Sequence, residues 1–129
     1  MKIAHVALWT LDLERAADFW HQTFSARIGQ PYHSQTNKGF ISRFVTLEDG
    51  PTIELMTHPR LNQATISSDT PVTGWAHIAI SLGSEDAVRK LAGHMDGEQA
   101  LVSAPRWTGD GFFEAVIRDP DGNLIEITA

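Results

Sequence analysis

The sequence predicts an α+β protein built from two tandem βαβββ modules, and three observations carry that prediction. Sliding the 129-residue chain along itself by 72 positions lays Ala4-His5-Val6-Ala7 on Ala76-His77-Ile78-Ala79 and Gly39-Phe40 on Gly111-Phe112. The same shift lays Asp49-Gly50-Pro51-Thr52-Ile53-Glu54 on Asp121-Gly122-Asn123-Leu124-Ile125-Glu126. Within each copy, an alternating run opens the module, an apolar stripe at helical spacing follows, and further alternating runs separated by Gly-containing turns close it.

Residues 3 to 9 alternate, with Ile3, His5, Ala7 and Trp9 on one face and Ala4, Val6 and Leu8 on the other, the period of a strand. Asp12 is placed to cap a helix in which Leu13, Ala16, Ala17, Trp20 and Phe24 form one stripe. A strand is expected around Tyr32, a turn at Asn37-Lys38-Gly39, a strand over 40–47, a hairpin turn at Asp49-Gly50 and a strand over 52–57. The second copy repeats the order: a strand over 75–82, a helix capped by Ser84 with Val88, Leu91, Ala92 and Met95 inward, and strands over 98–107, 112–119 and 123–128. Residues 58–73 carry two prolines and no clean period, and read as a linker. The expected organisation is a single domain over 1–129, with module one over about 1–57 and module two over about 74–129.

The chain is 42% apolar, enough for a core, and no apolar stretch approaches the roughly 20 residues needed to cross a bilayer. Met1-Lys2-Ile3 leads straight into a strand-like run, so the expectation is a cytoplasmic protein without a membrane partner. A net charge of −6 and only ten scattered Lys and Arg argue against nucleic acid. The chain has no cysteine, which removes disulfides, thiolate metal sites and a cysteine nucleophile from consideration. Any metal must therefore be held by nitrogen and oxygen.

Four such donors stand at repeated positions: His5 and His77, Glu54 and Glu126. In the last strand of each copy Glu54 and Glu126 alternate with Ile53 and Leu55, or with Ile125 and Ile127, and the aliphatic set should meet the helix. The His and Glu then point to the opposite faces of their sheets. Curved sheets related by a pseudo-twofold would close those faces around one cavity, and a cation makes two neighbouring carboxylates tolerable there. Two nitrogens and two oxygens suit a divalent ion, Ni, Zn, Co, Mn or Fe, with coordination positions left for a substrate bearing adjacent oxygens. Glu126, with Glu54 as second choice, is the expected general base.

The tandem pattern, with His near the start of each module and Glu in its last strand, resembles the vicinal oxygen chelate superfamily. The segment Arg118-Asp119-Pro120-Asp121-Gly122-Asn123-Leu124-Ile125-Glu126 carries the resemblance, which spans essentially the whole chain. The superfamily includes glyoxalase I, fosfomycin resistance proteins, bleomycin-binding proteins and extradiol dioxygenases. The complete His, Glu, His, Glu set is most similar to glyoxalase I, and implies a metal-dependent lyase or isomerase acting on a small α-oxo or vicinal dioxygen compound. It also implies a homodimer, with modules paired within one chain or exchanged between two. Small bacterial glyoxalases have an Arg four residues after the first His and an Asn four after the first Glu, both contacting glutathione. Trp9 and His58 stand there instead, which places glutathione or another thiol cofactor in question.

Trp9, Arg43, Met56, Arg106, Trp107 and Phe113 are the substrate-pocket candidates, with Trp75 beside them; the two arginines are the natural contacts for an anionic group. The competing readings are a drug-binding protein of the bleomycin-resistance kind, in which no bond is broken, and an extradiol-type dioxygenase. The dioxygenase reading calls for further His or Tyr groups, and Tyr32 is the single tyrosine.

Overall fold

A computed structural model describes residues 1–62 and 73–129. The chain divides into two compact units, Met1–Thr65 and Ile66–Ala129. Most of the expected linker, 63–72, lies outside the described residues; its first residues turn, with the Leu61 N–H donating to the His58 carbonyl at 2.9 Å.

The first unit contains β1 (His5–Trp9), α1 (Leu13–Phe24), β2 (Arg27–Ile28), β3 (Tyr32–His33), β4 (Ile41–Thr46) and β5 (Thr52–Thr57). Its five-stranded sheet runs β1-β5-β4-β2, with β3 also on β4. β1 lies parallel to β5, and β4 lies antiparallel to β2, β3 and β5. The Asp12 carboxylate accepts from the Arg15 N–H at 3.0 Å and so starts α1, while Ser25 ends it in the left-handed region at φ 53°. The predicted stripe is buried at Leu13, Ala16, Ala17 and Trp20, which cover Val45 of β4 and Ile53 and Leu55 of β5, while Phe24 at its end is half-buried. Each large side chain buried in this way contributes about 1.5–3 kcal/mol.

The second unit contains β6 (Ile78–Ser81), α2 (Glu85–Gly97), β7 (Leu101–Trp107), β8 (Phe113–Arg118) and β9 (Leu124–Thr128). Its four strands run β6-β9-β8-β7, with β6 parallel to β9 and the other pairs antiparallel. The Ser84 hydroxyl accepts from the Ala87 N–H at 3.3 Å, and Val88, Ala92 and Met95 of α2 pack over Ala115, Ile117, Ile125 and Ile127. The turn into β9 is pinned by one carboxylate: Asp119 accepts from the backbone N–H groups of Asp121 at 2.9 Å and Asn123 at 2.8 Å, and from the Asn123 side-chain amide at 2.8 Å. Gly122 supplies the positive φ of 88° that the turn requires.

The architecture is mixed α+β, with one helix on each of two mixed sheets. It departs from the expected βαβββ order in the first unit, where Arg27–Ile28 adds a two-residue strand after α1. That pairing is too short to leave a period in the sequence. Strands β1, β6 and β7 also begin two to three residues later than the alternation suggested, at His5, Ile78 and Leu101. No helix among the described residues is long and apolar enough to cross a membrane.

Candidate metal and substrate site

Register decides which side chains meet. In the first unit Ala7 lies beside Glu54 and Phe44 beside Glu54, while His5 pairs with Thr52 and Trp9 with Met56. His5, Trp9, Phe44, Glu54 and Met56 therefore share the face turned away from α1, and Tyr32, level with Ser42, joins them. The His5 Nε2 stands 3.7 Å from a Glu54 carboxylate oxygen, with side-chain exposures of 47% and 17%. An edge-on ring contact with Phe44, centroids 5.8 Å apart, supports the imidazole, and Trp9 meets Phe40 in the same way at 6.0 Å.

The second unit repeats the central pair. His77 Nε2 stands 3.5 Å from a Glu126 carboxylate oxygen, with exposures of 43% and 19%. Glu126 lies level with Ala79 on one side and Val116 on the other, on the face away from α2.

Both separations exceed the roughly 2.7–3.2 Å of a strong hydrogen bond. They fall in the range for two ligands of one ion, since atoms about 2.0–2.2 Å from a metal stand roughly 2.9–3.7 Å apart across bond angles of about 90–120°. The donor set fits a divalent cation, each unit offering one imidazole nitrogen and one carboxylate oxygen. Among the described residues no group of three or more such side chains is gathered as a metal site, so neither unit alone presents a full ligand set.

The surroundings of the two pairs differ. In the first unit Phe44 touches His5, and Trp9, with Phe40 against it, and Met56 lie farther along the same face. The second places charge there: Glu114, 8% exposed, lies level with Arg106 and Thr128 on the Glu126 face. Arg106 donates from Nη2 to Glu114 at 3.3 Å and from Nη1 to the Ser103 hydroxyl at 2.6 Å. Burial pushes the Glu114 carboxyl up, the neighbouring Glu126 pushes it further, and Arg106 opposes both. Glu114 and Ser103 were not among the sequence candidates. The available signal was a lone carboxylate inside the apolar run Phe112-Phe113-Glu114-Ala115-Val116-Ile117.

Three expected pocket residues do not join these faces. Arg43 lies level with Leu55 on the helix side of its sheet, where it donates from Nε to the Gly29 carbonyl at 2.9 Å and pairs with Glu14. Phe113 is buried against α2, its ring under the Arg89 guanidinium at 4.4 Å. Trp107 pairs with Phe113 in register and meets its ring at 5.6 Å. Trp75 is almost wholly exposed and precedes β6. His58 accepts from the Arg60 N–H at 3.0 Å within a turn.

The chain belongs to the Glyoxalase/Bleomycin resistance protein/Dioxygenase superfamily, whose model matches residues 2–127. Among solved structures, a glyoxylase/bleomycin resistance protein/dioxygenase domain from Frankia is similar at TM-score 0.80 and 16% identity, covering 99% of this chain and 96% of that one. The trypanothione-dependent glyoxalase I of Leishmania major is similar at TM-score 0.75 and 19% identity, covering 99% and 86%. Glyoxalase I from Zea mays is similar at TM-score 0.75 and 21% identity over 98% of this chain, which spans only 44% of the maize protein. These likenesses establish a shared fold. No curated protein sequence matches the chain significantly.

Proposed function

We propose that His5, Glu54, His77 and Glu126 together hold one divalent metal ion, and that the protein is a glyoxalase-like lyase or isomerase acting on a small α-oxo or vicinal dioxygen compound. The observation that carries this reading is the repeated His–Glu pair, set at 3.7 Å in one unit and 3.5 Å in the other. Two pairs of the same composition and of closely similar spacing and exposure are what a duplicated metal-binding module would offer. The two modules then act as one functional domain, and by the family resemblance the working assembly is a homodimer.

When bound, the ion supplies Lewis acidity that polarises a substrate carbonyl and stabilises negative charge on its oxygen. The chain supplies the proton transfer. Glu126 is the first choice for the base that takes a proton from the carbon next to the carbonyl and returns it to the neighbouring carbon, with Glu54 as the alternative. Trp9, Phe44 and Met56 give the face that carries His5 and Glu54 an apolar lining. Glutathione is not favoured as the cosubstrate, since Trp9 is an apolar surface and His58 is occupied within its turn.

Metal analysis of the purified protein, with turnover of methylglyoxal and glutathione measured after adding Ni²⁺, Co²⁺, Zn²⁺, Mn²⁺ or Fe²⁺, tests the reading. Bound metal is expected in the wild type and is lost in His77→Ala and Glu126→Gln. Turnover with metal identifies a glyoxalase; metal without turnover directs the search to other dioxygen substrates. The exposed aromatic wall favours a second reading, a binding protein that sequesters a planar apolar molecule. A folded protein that takes up no divalent ion would reject the enzyme in favour of that reading.

A further inference from the structure

We propose that Arg106, held by Ser103 and Glu114, is a recognition point for a carboxylate carried by the substrate at a distance from its oxygen pair, so that the substrate of the reaction proposed above is an anionic α-oxo compound. The inference rests on that reading for the chemistry, but its geometry stands by itself in the second unit.

The first ground is the way the guanidinium is held. β7 is an edge strand of its sheet, and its pairing with β8 slips between Leu101 and Ser103 and again between Ser103 and Arg106. Such irregularities re-aim side chains, and here they bring Ser103 within 2.6 Å of Arg106 Nη1. Glu114 accepts from Nη2 at 3.3 Å, so both terminal nitrogens are fixed. A guanidinium has five N–H donors, and these two contacts leave three of them. The side chain remains 49% exposed, so a ligand can reach the remaining donors without displacing either support.

The second ground is the position. Arg106 is level with Glu114, Glu114 with Thr128, and Thr128 lies two residues along β9 from Glu126 on the same face. Thr128 is itself buried, and its hydroxyl has no hydrogen-bond partner among the described residues, so this corner of the face holds unused polar capacity. Any anion bound at Arg106 is therefore offset from the His77–Glu126 pair along the sheet.

The third ground is asymmetry. The shift of 72 that carries His5 onto His77 and Glu54 onto Glu126 carries Ser34 onto Arg106, Ser42 onto Glu114 and Met56 onto Thr128. The duplicated positions keep the metal donors and differ at this cluster. The cluster is thus particular to the second copy. The ligand charge follows from the setting: Glu114 already offsets part of the arginine charge and Glu126 stands near, so a monoanionic carboxylate suits the site better than a phosphate dianion.

The test compares α-ketoglutarate with α-ketovalerate, which share the α-oxo acid head and differ in the remote carboxylate. Binding is measured by ligand-observed NMR on metal-free and Ni²⁺-loaded protein. Wild type should favour α-ketoglutarate by about tenfold or more, the span of a charged hydrogen-bonding contact. Arg106→Gln should erase the preference, Arg106→Lys should restore part of it, and Lys90→Gln, an exposed charge on α2, should leave it intact. Because Arg106→Gln strands the Glu114 carboxylate, the double variant Arg106→Gln/Glu114→Gln serves as a folded control and should also lack the preference. Equal binding of the two ketoacids by wild type, or a preference that survives Arg106→Gln, overturns the proposal. If no metal is retained but the Arg106-dependent preference persists in the metal-free protein, the metal reading fails and the carboxylate subsite stands.

Discussion

Glu114 shows what a single carboxylate does to this face. It is kept nearly out of water beside a second carboxylate, so its pKa lies above the ordinary 4.5, with desolvation the largest cause, Glu126 the next and Arg106 opposing. A carboxyl whose folded pKa is raised gives the fold its full contribution below the unfolded value and loses it as pH rises through the folded value. Glu114→Gln removes that loss while keeping an oxygen to accept from Arg106. In the metal-free protein the variant should therefore match wild type in urea unfolding below about pH 4 and exceed it near pH 7; a wild type more stable than the variant at neutral pH contradicts the assignment. Sequence could reveal the repeated donors, because residue type and position coincide at His5 and His77, and at Glu54 and Glu126. Arg43 is a pocket candidate by residue chemistry alone, and strand parity places it on the other face. Arg43 shares its strand face with Val45, and Val45 is buried under α1.

At the scale of elements, alternation is the property that separates scaffold from site. Leu55 is fully buried under α1, while its neighbour Met56 looks the other way, level with Trp9 and Ser42. Leu55→Ala should cost about 2–5 kcal/mol by chemical denaturation. Met56→Ala should cost clearly less and act instead on ligand affinity. Equal losses of stability at the two positions would mean that the two faces are not distinct. Helices and central strands were legible because caps and periods are local: Asp12 and Ser84 accept the N–H groups three residues on, as their positions implied. β2 was not legible, since two residues between the left-handed Ser25 and the next strand leave no pattern. Nor was the slipped register of β7, because it depends on which β8 residue each side chain meets. Phe113 and Trp107 are pocket candidates by residue type, whereas register places both on the α2 side.

At the scale of the whole molecule, the duplication makes a quantitative demand on the metal. Each unit offers one His–Glu pair as the proposed ligands, and among the described residues no group of three or more such side chains is gathered. If each pair bound its own ion, the chain would take up two ions, weakly, and His5→Ala would leave the second site untouched. If one ion draws on both pairs, uptake saturates at one ion per chain, and His5→Ala and His77→Ala lose affinity by similar factors although they lie in different copies of the repeat. Thermal stability reads the same distinction. An ion at a hundred times its dissociation constant stabilises the folded protein by about 2.7 kcal/mol. That increment should disappear in either histidine variant if the ion is shared. Isothermal titration of metal-free protein with Ni²⁺, run on wild type and the two variants, therefore measures whether the repeat encodes two sites or two halves of one. Each pair offers two of the roughly four ligands that a divalent ion takes, so the proposed function predicts the second outcome, one ion per chain.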